Sequence, residues 1–96
     1  MSFTQFIELD GADEQALRDH VGTWHTEQSG QAPGYLSARL FADDESGRHI
    51  IAVDFASPEQ AGENNDREAT RTWATALRDQ GNGEPTYRNL RQVYAT

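Results

Sequence analysis

Among the side chains able to do chemistry near neutral pH, His49, Arg39 and Tyr35 stand out by their spacing. His49 opens the apolar run Ile50-Ile51-Ala52-Val53-Asp54-Phe55 and alternates in step with Ile51, Val53 and Phe55. The preceding run, Tyr35 to Phe41, can fold back on it as a hairpin closed around Glu45-Ser46-Gly47. In that register Tyr35, Ser37, Arg39 and Phe41 share the side of His49. One face then carries a His, an Arg, a Tyr and a Ser among apolar neighbours, the mixture a small-molecule pocket needs. His49 suits a general base, and Arg39 can hold an enolate or carboxylate. Trp73, on an apolar helical stripe, completes the expected set: His49 catalytic, with Tyr35, Arg39 and Trp73 as ligand contacts. The plainer alternative leaves His49 at a strand end in water, pairs Arg39 with a carboxylate across a dimer, and packs Trp24 and Trp73 in the core.

Other groups read as structural. His20 and His25 are five residues apart, which on a helix turns them about 140° from each other, so they cannot hold one metal together. His20 is expected at the core boundary with its polar tip in water, and His25 in solvent. The chain has no Cys, which removes disulfides, thiolate nucleophiles and thiolate metal sites. No metal and no cofactor is therefore expected. Asp43-Asp44-Glu45 lacks the ligand spacing of a calcium loop and reads as a solvated turn. Asp54 interrupts an apolar run, so it needs a partner, for which Arg39, Arg88 and Arg91 are candidates. Asn64-Asn65-Asp66-Arg67 reads as the place where a helix restarts, with Asn65 or Asp66 as its cap. There is no Gly-rich phosphate loop and no Gly-x-Ser-x-Gly elbow.

The elements that must position these groups follow from periodicity. Phe3 to Leu9 alternates as a strand, and Asp10-Gly11 breaks it. Asp13 to Ser29 is helical, capped by Asp13, with Leu17, Val21, Trp24 and Gln28 on one stripe and Gly30 as its stop. Tyr35 to Phe41 and His49 to Phe55 form the hairpin, and the second run is apolar enough to be central. Ser57-Pro58-Glu59-Gln60 opens a helix with a cap, a Pro in the first turn and a Gln three residues on. After a break at Gly62 to Asn65 a further helix covers about Asp66 to Gln80, with Ala69, Trp73, Ala76 and Leu77 buried. Thr86 to Tyr94 is the last strand. The order is β-α-β-β-α-β, an α+β, ferredoxin-like arrangement with a four-stranded antiparallel sheet, in one domain spanning residues 1–96.

Along nearly its whole length the chain resembles the dimeric α/β-barrel superfamily, the group that includes antibiotic-biosynthesis-monooxygenase-like proteins. The likeness is carried by the Leu17…Trp24 stripe followed by Pro33-Gly34-Tyr35-Leu36, by Ile50 to Phe55 running into Ala56-Ser57-Pro58-Glu59-Gln60-Ala61, and by Asn64-Asn65-Asp66-Arg67-Glu68 leading to Trp73. The resemblance implies two sheets packed face to face across a homodimer, with a pocket in each subunit between sheet and helices. It implies a range of activities: cofactor-independent oxygenation of aromatic polyketides, haem degradation, isomerisation, decarboxylation or dehydration. Haem-degrading members use a His ligand in the second helical region with Asn and Trp nearby. Trp73 stands there, but no His follows His49.

Bare apolar surface points to the same dimer. Both alternations of the His49 to Phe55 run are apolar, so it must be covered twice; helices cover one side and a second subunit is the simplest cover for the other. The net charge of −8, with every positive charge from Arg, repels phosphate backbones and anionic membranes. No apolar run is long enough for a membrane span, and no secretory leader is visible, so a cytoplasmic location is expected. Stability is expected to rise with salt, which screens the self-repulsion. Two functions remain open: a monooxygenase-like enzyme or binder of a small apolar, aromatic metabolite, and a non-catalytic dimeric structural or regulatory module.

Overall fold

The computed structural model describes residues 2–96. Four strands, β1 (Phe3–Leu9), β2 (Tyr35–Ala42), β3 (His49–Phe55) and β4 (Thr86–Arg91), form one sheet in the order β2-β3-β1-β4. Every pairing is antiparallel. Three helices, α1 (Glu14–Gln28), α2 (Pro58–Asn65) and α3 (Glu68–Arg78), lie on one face of it. This is the α+β, ferredoxin-like order read from the sequence, with β1 and β3 central.

Local chemistry explains the boundaries. The Asp13 carboxylate accepts from Ala16 N–H at 2.9 Å and starts α1, whose first turn carries Glu14 at the positive end of the helix dipole. Ser57 Oγ accepts from Gln60 N–H at 3.2 Å and starts α2, with Pro58 in its first turn. The β2–β3 turn closes through Asp43 N–H to Arg48 O and Gly47 N–H to Asp43 O, and Gly47 takes a φ of 76° there. At the entry to β2, Gly34 has a φ of 67° and a β-carbon on it would sit 2.6 Å from the Gln60 side chain. Glycine is required at that position by both backbone and space.

The core lies between the sheet and the helices. Ile7 and Leu9 of β1, Ile51, Val53 and Phe55 of β3, Leu17 of α1, Ala61 of α2 and Leu77 of α3 are all buried together. Odd positions of β1 and β3 therefore face the helices. Even positions, among them Thr4, Phe6, Ile50, Ala52 and Asp54, face the other way.

Two expectations are corrected. The last strand stops at Arg91 and not at Tyr94: Arg91 pairs with Phe3, the first residue of β1, and past that pair Gln92 N–H donates to the Ser2 carbonyl. The restarting helix begins at Glu68, and neither Asn65 nor Asp66 caps it with a side chain. Asp66 ends α2, and Arg67 precedes α3 without a side-chain cap. The joint is held by the buried Asn64, whose Oδ1 accepts from Thr70 Oγ1 at 2.9 Å and from Arg67.

Candidate functional site

Two helical stripes with the same spacing meet on the surface of the helical layer. His20, Thr23, Trp24 and Glu27 recur on α1 at i, i+3, i+4 and i+7, and Ala69, Thr72, Trp73 and Ala76 recur on α3 in the same way. Residues so spaced share one helix face. Together with Gln28 and Glu68 they line an open groove of about 520 Å³ between α1 and α3. That volume falls within the usual range for small-molecule clefts. A hollow of similar volume on the far flank of α1 is lined by Arg18, Asp19, Gly22, Thr23, Thr26 and Glu27 and has no aromatic wall.

Aromatic rings hold the groove in shape. The Trp24 and Trp73 rings lie 5.2 Å apart at 45°. The His20 ring stacks on Trp73 at 4.8 Å, nearly parallel. Trp73 Nε1–H donates to the His20 carbonyl at 3.2 Å, and His20 Nε2 lies 3.1 Å from the Trp73 carbonyl. A carbonyl only accepts, so Nε2 carries the proton; in the neutral ring Nδ1 is then left as an acceptor. Trp24 is 5% exposed and reaches inward to meet the edge of Tyr35, which in turn meets Phe55. The floor of the groove is thus continuous with the core.

Tyr35 connects the far end of α1 to the sheet. Its hydroxyl is 2.8 Å from His25 Nδ1, so His25 is engaged with Tyr35 as well as facing solvent. Burial, and second the negative charge of Asp54, push the Tyr35 phenol above its ordinary value. The phenol therefore stays protonated and donates to His25 when the proton of that ring is on Nε2.

The four residues picked from the sequence do not form one constellation. Trp73 lines the groove, and Tyr35 supports it through Trp24. His49 lies on the helix-facing side but under the first turn of α1, where its Nε2 meets Glu14 Oε1 at 3.0 Å and its side chain is 11% exposed. Its other nitrogen, Nδ1, is buried without a hydrogen-bond partner. Arg39 lies on the opposite face of the sheet. The expected register, with Arg39 beside His49, is overturned by a β-bulge: Tyr35 pairs with Phe55 and Ser37 with Asp54, leaving Leu36 as an extra residue. The insertion keeps Tyr35 on the helix side and sends Ser37, Arg39 and Phe41 to the outer side.

On that outer face Asp54 accepts from Thr4 Oγ1, from Ser37 Oγ at 2.9 Å and from Arg39 at 3.4 Å. The Arg39 guanidinium also lies over the Phe41 ring. Beside them Arg88 pairs with Glu8 at 3.3 Å and covers Phe6. Phe41 and Leu90 remain 46% and 39% exposed. Among the described residues, no group of three or more His, Cys, Asp or Glu side chains is placed to hold a metal ion, and no helix is long and apolar enough to cross a membrane.

Sequence reasoning passed over His20 and Trp24 as groove residues. Their signal was present in the shared i, i+3, i+4, i+7 spacing of the two stripes, each mixing a Trp with a Thr hydroxyl, and that of α1 with the Glu27 carboxylate as well, where a sealed core would have apolar side chains.

No protein-family model matches the sequence, and no curated protein matches it. Solved structures do match the fold. Rv0793 from Mycobacterium tuberculosis superimposes with a TM-score of 0.76 at 11% identity, over 99% of this chain and 98% of that one. A candidate antibiotic biosynthesis monooxygenase from Caulobacter crescentus gives 0.76 at 16% identity, over 97% and 91%. SnoaB, a cofactor-independent oxygenase from Streptomyces nogalater, gives 0.70 at 15% identity, over 98% and 93%. The chain therefore has the ferredoxin-like fold of antibiotic-biosynthesis-monooxygenase-like proteins, as the resemblance in its sequence implied.

Proposed function

We propose that the groove between α1 and α3 binds a small, flat, apolar metabolite of aromatic character and holds it for cofactor-independent, monooxygenase-type oxygenation. The observation that carries this reading is the Trp24–Trp73 pair, two indoles 5.2 Å apart at the base of an open groove. Flat ligands gain both buried area and ring–ring contact on such a floor. Likeness of fold to SnoaB, a cofactor-independent oxygenase, supports the oxygenase part of the reading. Trp73 and, through Trp24, Tyr35 are its ligand-holding residues. His49 and Arg39 serve the scaffold in this account: His49 ties β3 to α1, and Arg39 neutralises Asp54.

The same reading makes the protein a homodimer through the outer face of the sheet. Phe6, Phe41, Ile50 and Leu90 project there, with Asp54–Arg39 and Glu8–Arg88 supplying both signs of charge between them. Apolar surface of this kind calls for a cover, and a second copy brings a face of the same mixed character in a two-fold contact.

A thermal-shift screen of two- and three-ring aromatic metabolites, with haem included, tests the binding. A true ligand at a hundred times its Kd stabilises the fold by about 2.7 kcal/mol and raises the melting temperature by several degrees. The shift is expected to vanish in Trp73→Ala. Oxygen uptake with each hit then separates an oxygenase from a binder. A screen with no hit, or hits that Trp73→Ala leaves unchanged, removes the groove as the site.

A further inference from the structure

The groove has a charge as well as a shape. Glu27 and Glu68 stand on its two walls, one from each helix, and neither carboxylate has an ion-pair or hydrogen-bond partner among the described residues. No Arg lines it, and the chain contains no Lys. Arg67, just before α3, is not among the lining residues; at the groove's edge its two terminal nitrogens donate to the neutral amide oxygens Gln28 Oε1 at 2.8 Å and Asn64 Oδ1 at 3.4 Å. In the neutral ring, His20 adds a further acceptor, since its Nε2 proton is committed to the Trp73 carbonyl. The faces of Trp24 and Trp73 carry the negative side of the indole quadrupole. Around all of this lies a chain with a net charge of −8, whose field draws cations towards its clefts.

We infer that the groove selects ligands bearing a positive charge beside their aromatic body, such as protonated arylalkyl amines, over neutral or anionic ones. An ammonium group on a flat ring system can sit between the Glu27 and Glu68 carboxylates while the rings rest against Trp73. Cation–π attraction and two carboxylates act in the same direction there. An anion in that position meets two like charges. This inference rests on the groove being the ligand site, and it adds the chemical class of the ligand.

Isothermal titration with three compounds of one shape tests it: 2-(aminomethyl)naphthalene, 2-naphthalenemethanol and 2-naphthoate. The amine is expected to bind about tenfold more tightly than the alcohol, and the carboxylate most weakly. Raising NaCl from about 20 mM to about 300 mM narrows the gap. The exposed pair Glu27→Gln and Glu68→Gln, made together, brings the amine down to the level of the alcohol. Equal binding of amine and alcohol, preference for the carboxylate, or an amine preference that survives the double substitution overturns the inference while leaving the groove as an aromatic site. Failure of all three compounds to bind overturns both.

Discussion

His20 and Trp73 hold each other by two hydrogen bonds and a ring stack, although 53 residues separate them in the chain. His20 Nε2–H donates to the Trp73 carbonyl at 3.1 Å, Trp73 Nε1–H donates to the His20 carbonyl at 3.2 Å, and the rings lie 4.8 Å apart. Both carbonyls sit within helices, where the second lone pair of each is free to serve the helix. The pair joins α1 to α3 and fixes one wall of the groove. His20→Ala is therefore expected to lower the unfolding free energy by about 1–2 kcal/mol, from one net hydrogen bond and one aromatic contact. Urea melts followed by far-UV circular dichroism check this, and native helix content at zero urea is expected to be retained.

His49 gives a second, opposite expectation. It is buried under α1 and bonded to Glu14, away from the groove. Truncation in His49→Ala leaves a void and frees the start of α1, at a cost of about 2 kcal/mol. Ligand affinity in the groove is expected to stay within twofold of the parent. A His49→Ala protein of normal stability with lost binding would return His49 to the site and refute its anchoring part.

Tyrosine ionisation sets an alkaline limit. Burial raises the phenols of Tyr35 and Tyr87 above the ordinary value of 10.0, helped at Tyr35 by Asp54 and at Tyr87 by Glu84, with Arg78 opposing. The folded chain thus binds these protons more tightly than the unfolded chain. Their contribution to stability is fully present below pH 10.0 and is lost as pH climbs through the higher folded values. Urea midpoints are expected to fall steadily above pH 10.0, and Tyr35→Phe to flatten part of that slope.

Dimerisation through the outer face has a direct check. Leu90 lies on the edge strand β4 and is 39% exposed in the single chain, so a charge there disturbs the fold little. Sedimentation at micromolar concentration is expected to show a dimer for the parent and a monomer for Leu90→Asp. A parent that remains a monomer would remove the two-fold sheet contact.

Strands, helix caps and the hairpin were legible because each is encoded within a few residues: alternation in Phe3 to Leu9, Asp13 and Ser57 as caps, Gly47 in the turn. What stayed hidden depended on contacts distant in sequence. The bulge at Leu36 changes which side Arg39 faces, and no local pattern marks it. A hint lay in Asp54, an even-position carboxylate that needed a cation; its pairing with Arg39 already required Arg39 to leave the side of His49. Trp73, which lines the groove, stood out in the sequence because the family resemblance places a Trp in that helical region. His20 was read as a boundary residue, since its partner lies on a helix 53 positions away and only the tertiary fold brings them together.

The proposed function requires a flat aromatic ligand to sit in the groove between α1 and α3. Amide chemical-shift mapping with 2-naphthalenemethanol, added up to its solubility limit, addresses this most directly, because the Trp73 indole N–H is a reporter inside the site. Shifts are expected to concentrate on residues 20–28 and 68–76, with the Trp73 Nε1–H resonance among the largest. Shifts centred instead on the outer sheet face around Thr4, Arg39 and Asp54, or no shifts at all, would contradict it.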